Sequence, residues 1–280
     1  MRLIKGLPRP VLLSLRNTFR RKGRVALTLL TLTLGGAVFI AIFSVRNSLE
    51  LTLNDILDSL FNYDVTLQFE KDHRAEYVVS EALRFPGVSE AESWRTTGAR
   101  RILANGEESD STLTLWGVPP ESRMVKPTVI SGRWLLPNDQ NAVVLSAGVF
   151  DNESDLGVGD EMIIRIKGRD TTWRIVGQVA TIGAVPWAYT SYDSYGRAAK
   201  EVGEAGNLFI VTEPRNAATQ QRVASELEEH FNTLGVAVVE TETGANIRQQ
   251  QATFFNVIIV VLLGMAVLIA IVGGLGLRAR

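Results

Sequence analysis

The sequence predicts a membrane protein in which two transmembrane α-helices bracket an α+β domain, itself made of two βαβ units with a β-rich insertion. Three observations predict this class: two long uncharged apolar runs, a lopsided charge distribution around them, and a strand–helix–strand pattern that occurs twice between them.

The first run lies between Arg24 and Arg46, where Val25 to Val45 reads VALTLLTLTLGGAVFIAIFSV without a charge. As a helix, about 21 residues rise roughly 30 Å, the thickness of a bilayer's hydrocarbon core. A second uncharged stretch runs from Gln249 to Leu277, apolar from Val257 onward. Buried helices of soluble proteins rarely sustain charge-free runs of this length. A cleaved signal peptide would have a shorter apolar region followed by small residues at the cut, and Ile42-Phe43-Ser44-Val45-Arg46 is a poor site for one.

Charge sets the direction. Residues 1–24 hold eight Lys or Arg and no acid, and Arg278 and Arg280 follow the second run. The region between these ends holds all 30 acids and 19 of the 29 basic residues. By the positive-inside rule both termini are expected in the cytoplasm and the domain outside a bacterial-type plasma membrane.

Division of the chain follows. Residues 1–24 form a basic lead in which Leu12, Leu15 and Phe19 share a helical face, suited to the surface of the inner leaflet. Span 25–45 continues as a stalk helix over 46–62, where Leu49, Leu53, Ile56, Leu57 and Leu60 recur at three- and four-residue steps. Residues 63–118 and 206–242 form the α+β subdomain. Its first unit has the alternating Val65, Leu67 and Phe69, a helix over Ala75 to Phe85 stopped by Pro86-Gly87, and strands at Arg100 to Leu103 and Leu113 to Trp116. Its second has a strand at Leu208 to Thr212, a helix over Ala217 to Leu234 with Val223, Leu227, Phe231 and Leu234 on one face, and a strand at Val236 to Val239. Residues 119–205 form the insertion, with strands at Val143 to Leu145, Met162 to Ile166 and Trp173 to Val179 and turns at Gly157 to Asp160 and Lys167 to Asp170. A second stalk over 243–256 leads into span 257–277, and 278–280 is a cytoplasmic end.

Within the spans, Thr33, Ala37 and Ala41, and Ala266, Ala270 and Gly274, recur every four residues. Such small faces let helix backbones approach closely in lipid, so these six are candidate helix-packing positions. Beside Pro186, the aromatic residues Trp187, Tyr189 and Tyr192 are candidate ligand contacts, with ordinary packing as the plainer reading.

Reactive chemistry is scarce. With no cysteine and two histidines, His73 and His230, there is little to build a thiolate or histidine metal site from. Asp151-Asn152-Glu153-Ser154-Asp155 begins like a calcium loop, but Leu156 stands where the tight-turn glycine belongs and Met162 where the bidentate acid belongs. No GxxxxGK[ST] phosphate loop occurs. No catalytic residue, cofactor or metal is expected, and no nucleic acid partner.

Several local sequences are carried in order along almost the whole chain. They are Leu15-Arg16-Asn17 and Arg20-Arg21-Lys22-Gly23-Arg24 before the first span, then Leu115-Trp116-Gly117-Val118, Ser131-Gly132-Arg133-Trp134, Ala142-Val143-Val144-Leu145, Leu156-Gly157-Val158-Gly159-Asp160 and Trp173-Arg174-Ile175-Val176-Gly177. In this order the chain resembles the FtsX-like permeases of ABC transporters, with a MacB-type extracytoplasmic core domain. The resemblance implies a non-catalytic permease subunit that dimerises, with itself or with another permease, and pairs with a cytoplasmic ABC-type ATPase. ATP-driven motion would then move the outer domain for export, extraction or signalling. Such permeases have four membrane helices per unit, so the resemblance also makes the chain look like a unit ending after its second helix. A two-span membrane sensor with an extracytoplasmic ligand-binding domain shares the topology and is the alternative. A membrane-anchored outer enzyme would need a clustered active site, and none is legible.

Overall fold

The computed structural model describes residues 62–180 and 186–275, together with helical residues 33–44 and a few more between 23 and 48. Contacts divide the chain into two units, Met1–Leu53 with Gln250–Arg280, and Asn54–Gln249. Nearly all of the predicted lead over 1–24 and of the stalk over 46–62, and the end at 278–280, lie outside the described residues.

In the larger unit, β1 (Val65–Arg74) is followed by α1 (Ala75–Leu83) and β2 (Val88–Ile102). Near the other end, β9 (Glu204–Thr212) is followed by α4 (Ala217–Thr233) and β10 (Val238–Thr243). Both βαβ units are therefore present, but interleaved. Strand order is β10-β1-β9-β2, so β9 lies between β1 and β2, and β1 between β9 and β10. All three pairings are antiparallel. This is a four-stranded sheet of split βαβ units with helices on one face. Val65, Leu67 and Phe69 of β1 point to that face, as their alternation predicts, and meet Val78 and Ala82 of α1 and Val223, Leu227 and Phe231 of α4. Leu234, expected on the same face, is exposed, because Gly235 turns the chain with φ +79° just after α4 ends.

Between the halves come β3 (Glu108–Val118), β4 (Val129–Gly132), β5 (Ala142–Ser146), α2 (Ala147–Asn152), β6 (Glu161–Ile166), β7 (Arg169–Val179), β8 (Trp187–Ser191) and α3 (Tyr192–Ala199). Their pairing closes on itself: β2 pairs β3 and β6, β6 pairs β7, β7 pairs β5, β5 pairs β8, and β8 pairs β3. The result is a closed six-stranded barrel, which hides edges that an open insertion would expose. Its interior holds Leu113, Leu115, Val143, Leu145, Ile164, Ile166, Trp173 and Ile175. The turn from β6 to β7 is made by Lys167 (φ +48°) and Gly168 (φ +78°), the left-handed pair that a two-residue hairpin needs.

β2 belongs to both lobes. Val88 to Trp94 pairs with β9 in the sheet, while Arg95 onward pairs with β3 in the barrel. The predicted boundary after residue 118 follows the chain order of strands, whereas the packing changes lobes at Trp94/Arg95 and takes β3 into the barrel. A third apolar cluster joins the lobes: Trp94, Phe209 and Val211 from the sheet face away from the helices meet Val118, Val144, Val179 and Tyr189 on the outside of the barrel.

The smaller unit contains helical residues 33–44 and most of α5 (Gly244–Leu275), which starts in the larger unit. The predicted second stalk and span form one helix as far as Leu275. Counting the described residues alone, no helix is long and apolar enough to cross a membrane, and both predicted spans run partly outside those residues. Of the small-residue positions, Ala266 is buried, whereas Thr33, Ala37 and Ala41 are exposed; the side chains of Ala270 and Gly274 lie outside the described residues. Among the described residues of the first helix, Ile42 is buried.

Candidate coupling site

Three consecutive residues fasten the chain where it enters β1. Asn62 donates its backbone N–H to Met124 (2.7 Å) and its side-chain amide to the Arg123 carbonyl (3.3 Å). Tyr63 turns the other way and packs edge-on against Trp94 (5.8 Å) and Phe209 (4.8 Å), whose own rings stack at 4.1 Å. Burial pushes its phenol pKa up to about 12, the more so with Glu242 nearby and despite a hydrogen bond with Thr66.

Asp64 is the node. It is 4 % exposed, and its carboxylate accepts from the Thr212 N–H (2.8 Å), Thr212 Oγ1 (3.1 Å), Arg215 Nε (3.0 Å) and Gln220 Nε2 (3.0 Å). A buried carboxylate is stable only when so many donors replace the lost water. Its backbone carbonyl accepts the Gly244 N–H (2.7 Å), and its N–H donates to Ile210 (2.8 Å). Gln220, having donated to Asp64, accepts the Ala245 N–H at its Oε1 (3.0 Å). Arg215 also reaches Asn62 Oδ1 (2.5 Å).

This cluster coincides with the start of α5. The opening turn of a helix has backbone N–H groups without intrahelical acceptors. Here Asp64 takes that of Gly244, Gln220 that of Ala245 and Thr243 Oγ1 that of Asn246 (3.1 Å). Thr243 lies opposite Val65 across the β1–β10 pairing, so α5 is capped from the strand that enters the domain, from the strand that leaves it, and from the first turn of α4. Asn216 caps α4 in turn, accepting from the Thr219 N–H (2.9 Å), which sets Gln220 one residue further round. The arrangement has no nucleophile and no convergent acid–base pair. What it does is tie elements together: the start of α5 bonds to the Asp64 backbone carbonyl and to Gln220, and Gln220, Thr212 and Arg215 bond to the Asp64 carboxylate.

None of the predicted site residues belongs to this cluster. Tyr189 is 1 % exposed in the apolar cluster between the lobes, 5.4 Å from the Trp134 ring, and half-buried Trp187 packs against the same cluster. Tyr192 starts α3 and donates to the Glu204 carbonyl (2.6 Å). Trp187 and Tyr189 thus pack in the cluster between the lobes, and Tyr192 bonds to the first residue of β9. Glu153 and Asp155 of the calcium-like stretch are both engaged by Arg101, and Glu153 also accepts from Ser109. Sequence reasoning missed Asp64. The available signal was an acid directly before an alternating strand, a position where an acid usually only marks a turn.

Fold and site together define the class: a two-lobed α+β domain, sheet plus barrel, fastened where its flanking chain enters and leaves. The family described as the MacB-like periplasmic core domain matches residues 25–230, and this chain belongs to it. No curated protein sequence matches the chain. Among solved structures it is similar to the periplasmic region of MacB from Actinobacillus actinomycetemcomitans, at 12% identity and a TM-score of 0.51, covering 70% of this chain and 95% of that one. It is also similar to the extracellular domain of the noncanonic ABC-type transporter YknZ from Gram-positive bacteria, at 15% identity and a TM-score of 0.47, covering 63% and 99%. A domain of a putative permease protein from Porphyromonas gingivalis matches at 13% identity and a TM-score of 0.38, covering 60% and 82%.

Proposed function

We propose that this chain is a permease subunit of an ABC transporter of the MacB/FtsX type, held in a bacterial plasma membrane by two spans with both termini in the cytoplasm. Its extracytoplasmic domain is moved by a separate cytoplasmic ATPase, and the permease works as a homodimer or heterodimer. The observation that carries this reading is the Asp64–Gln220 cluster, which ties the start of α5 to the strands entering and leaving the domain, so that motion along α5 moves the domain as a body. Family membership supports the transporter setting. The charge asymmetry supports the orientation. The apolar side chains also support the spans: Leu29, Leu34, Phe39, Ile40, Val260, Val267 and Leu268 are among many exposed on the two helices, more than water tolerates on adjoining helices.

The chain lacks cysteine, so single cysteines at Ser14 and Ser111 report each side of the membrane. An impermeant thiol reagent on intact spheroplasts labels Ser111→Cys and spares Ser14→Cys. Equal labelling, or labelling of Ser14→Cys alone, rejects the orientation. Purification of the tagged full chain from its own membranes recovers an ATP-hydrolysing subunit, and its consistent absence rejects the transporter role.

A further inference from the structure

On the helix-side face of β2, Ala91 packs against the core of the sheet lobe and Ala99 belongs to the core of the barrel, and Arg95 stands between them. Its side chain is 5 % exposed. The guanidinium takes both carboxylate oxygens of Asp72, one of them at 2.9 Å, and a carboxylate oxygen of Glu201. Asp72 comes from β1 of the sheet lobe, where a register shift between Gln68 and His73 frees the strand from regular pairing. Glu201 follows α3 of the barrel lobe and also pairs with Lys167 from the β6–β7 turn. The ring of Tyr195 lies 5.8 Å from the guanidinium carbon. Gly206 leaves the room: a Cβ there would lie 3.1 Å from Asp72 Oδ1 and 3.2 Å from Arg95 Nη1.

We propose that Asp72, Arg95, Glu201 and Lys167 form an ionic latch that sets the angle between the sheet lobe and the barrel lobe, with the apolar cluster around Trp94 as its fulcrum. Successive residues of a strand point to opposite faces, so Trp94 and Arg95 act on opposite sides of the one strand that runs through both lobes. Apolar packing around Trp94 resists separation on its side but is non-directional and tolerates sliding. The fork of Arg95 fixes direction as well as distance, because two parallel N–H···O bonds to Asp72 and a third bond to Glu201 hold only at one relative placement of the lobes. A buried ion cluster of this kind contributes more to selecting one arrangement than to net stability. The latch concerns the domain itself and stands whether or not the transporter reading holds.

Because the chain lacks cysteine, spin labels on Asp110→Cys in β3 and Ser225→Cys in α4 report the distance between lobes in the full chain in nanodiscs. Both positions are exposed. The parent chain gives a single narrow distance peak. Arg95→Met and Asp72→Asn each lose that peak to a broad or displaced distribution, whereas Arg165→Gln, which removes an ion cluster inside the barrel lobe alone, keeps it. Should Arg95→Met fail to unfold cooperatively, Asp72→Asn decides, since it leaves Arg95 paired with Glu201. A narrow, undisplaced peak in a folded Asp72→Asn chain overturns the latch, as does equal broadening in Arg165→Gln.

Discussion

The backbone carbonyl of Asp64 accepts the Gly244 N–H at 2.7 Å, and the carboxylate of the same residue holds Gln220 at 3.0 Å, which in turn holds Ala245. One residue thus fastens the first turn of a 32-residue helix to a domain whose chain begins 180 residues earlier. That geometry makes the cluster a structural joint between the start of the helix and the domain.

Replacement of Asp64 by Ala leaves Gln220 Nε2 and the Thr212 N–H without their acceptor, while Arg215, 44% exposed, regains water. The loss is about 3 kcal/mol of domain stability, read from urea unfolding with an unchanged m-value. Thr212→Val removes only the hydroxyl bond to Asp64, and its expected cost is about 1 kcal/mol.

Glycine positions separate steric demand from chance. A Cβ on Gly177 would overlap the carbonyl oxygen of Arg133 and lie 3.0 Å from its N and C atoms, all backbone of the residue that follows β4. A Cβ on Gly117 would lie 2.7 Å from that of Tyr195. Gly177→Ala and Gly117→Ala are each expected to cost about 2 kcal/mol or more, by shifting backbone or a fully buried ring. Gly98→Ala meets only Thr112 Cγ2 at 3.8 Å at an ordinary φ, so its thermal midpoint stays within a few degrees or rises.

Acid weakens the latch before it unfolds the domain. The hydrogen bond from Arg95 holds the Asp72 carboxyl below its ordinary value of 3.8, against an opposing push from burial. A carboxylate with a depressed folded pKa contributes stability that is fully present above the unfolded value and is lost as pH falls through the folded one. Unfolding free energy therefore falls below about pH 4, less steeply in Asp72→Asn, as a denaturant titration at successive pH values measures.

Calcium is expected to leave the domain unchanged. Glu153 and Asp155 already surround Arg101, whose side chain is 12% exposed, so a cation there would displace a guanidinium. Millimolar calcium or a chelator leaves the thermal midpoint unmoved. Arg101→Ala leaves Glu153 buried beside Ser109 with its ion partner gone, and lowers the midpoint by several degrees.

Much of the element order was legible because the forces that set it are local. Alternation in Val65, Leu67 and Phe69, the four-residue spacing of Val223, Leu227 and Phe231, and the turn chemistry of Lys167-Gly168 each report burial or backbone conformation within a few residues. By itself the sequence determined two βαβ units, a β-rich segment between them, and the charge pattern around two apolar runs. Only the tertiary structure decided that the units interleave, that the insertion closes into a barrel through β2, and which polar residues matter. The reason is range. Asp64 and Gln220 are 156 positions apart, and Arg95 and Glu201 106, so neither pair leaves a local signature. A charged residue in an alternating strand reads as solvent-facing until the element that covers it is known. Long-range pairing covers Asp64 and Arg95, and converts two ordinary surface letters into the joints of the molecule.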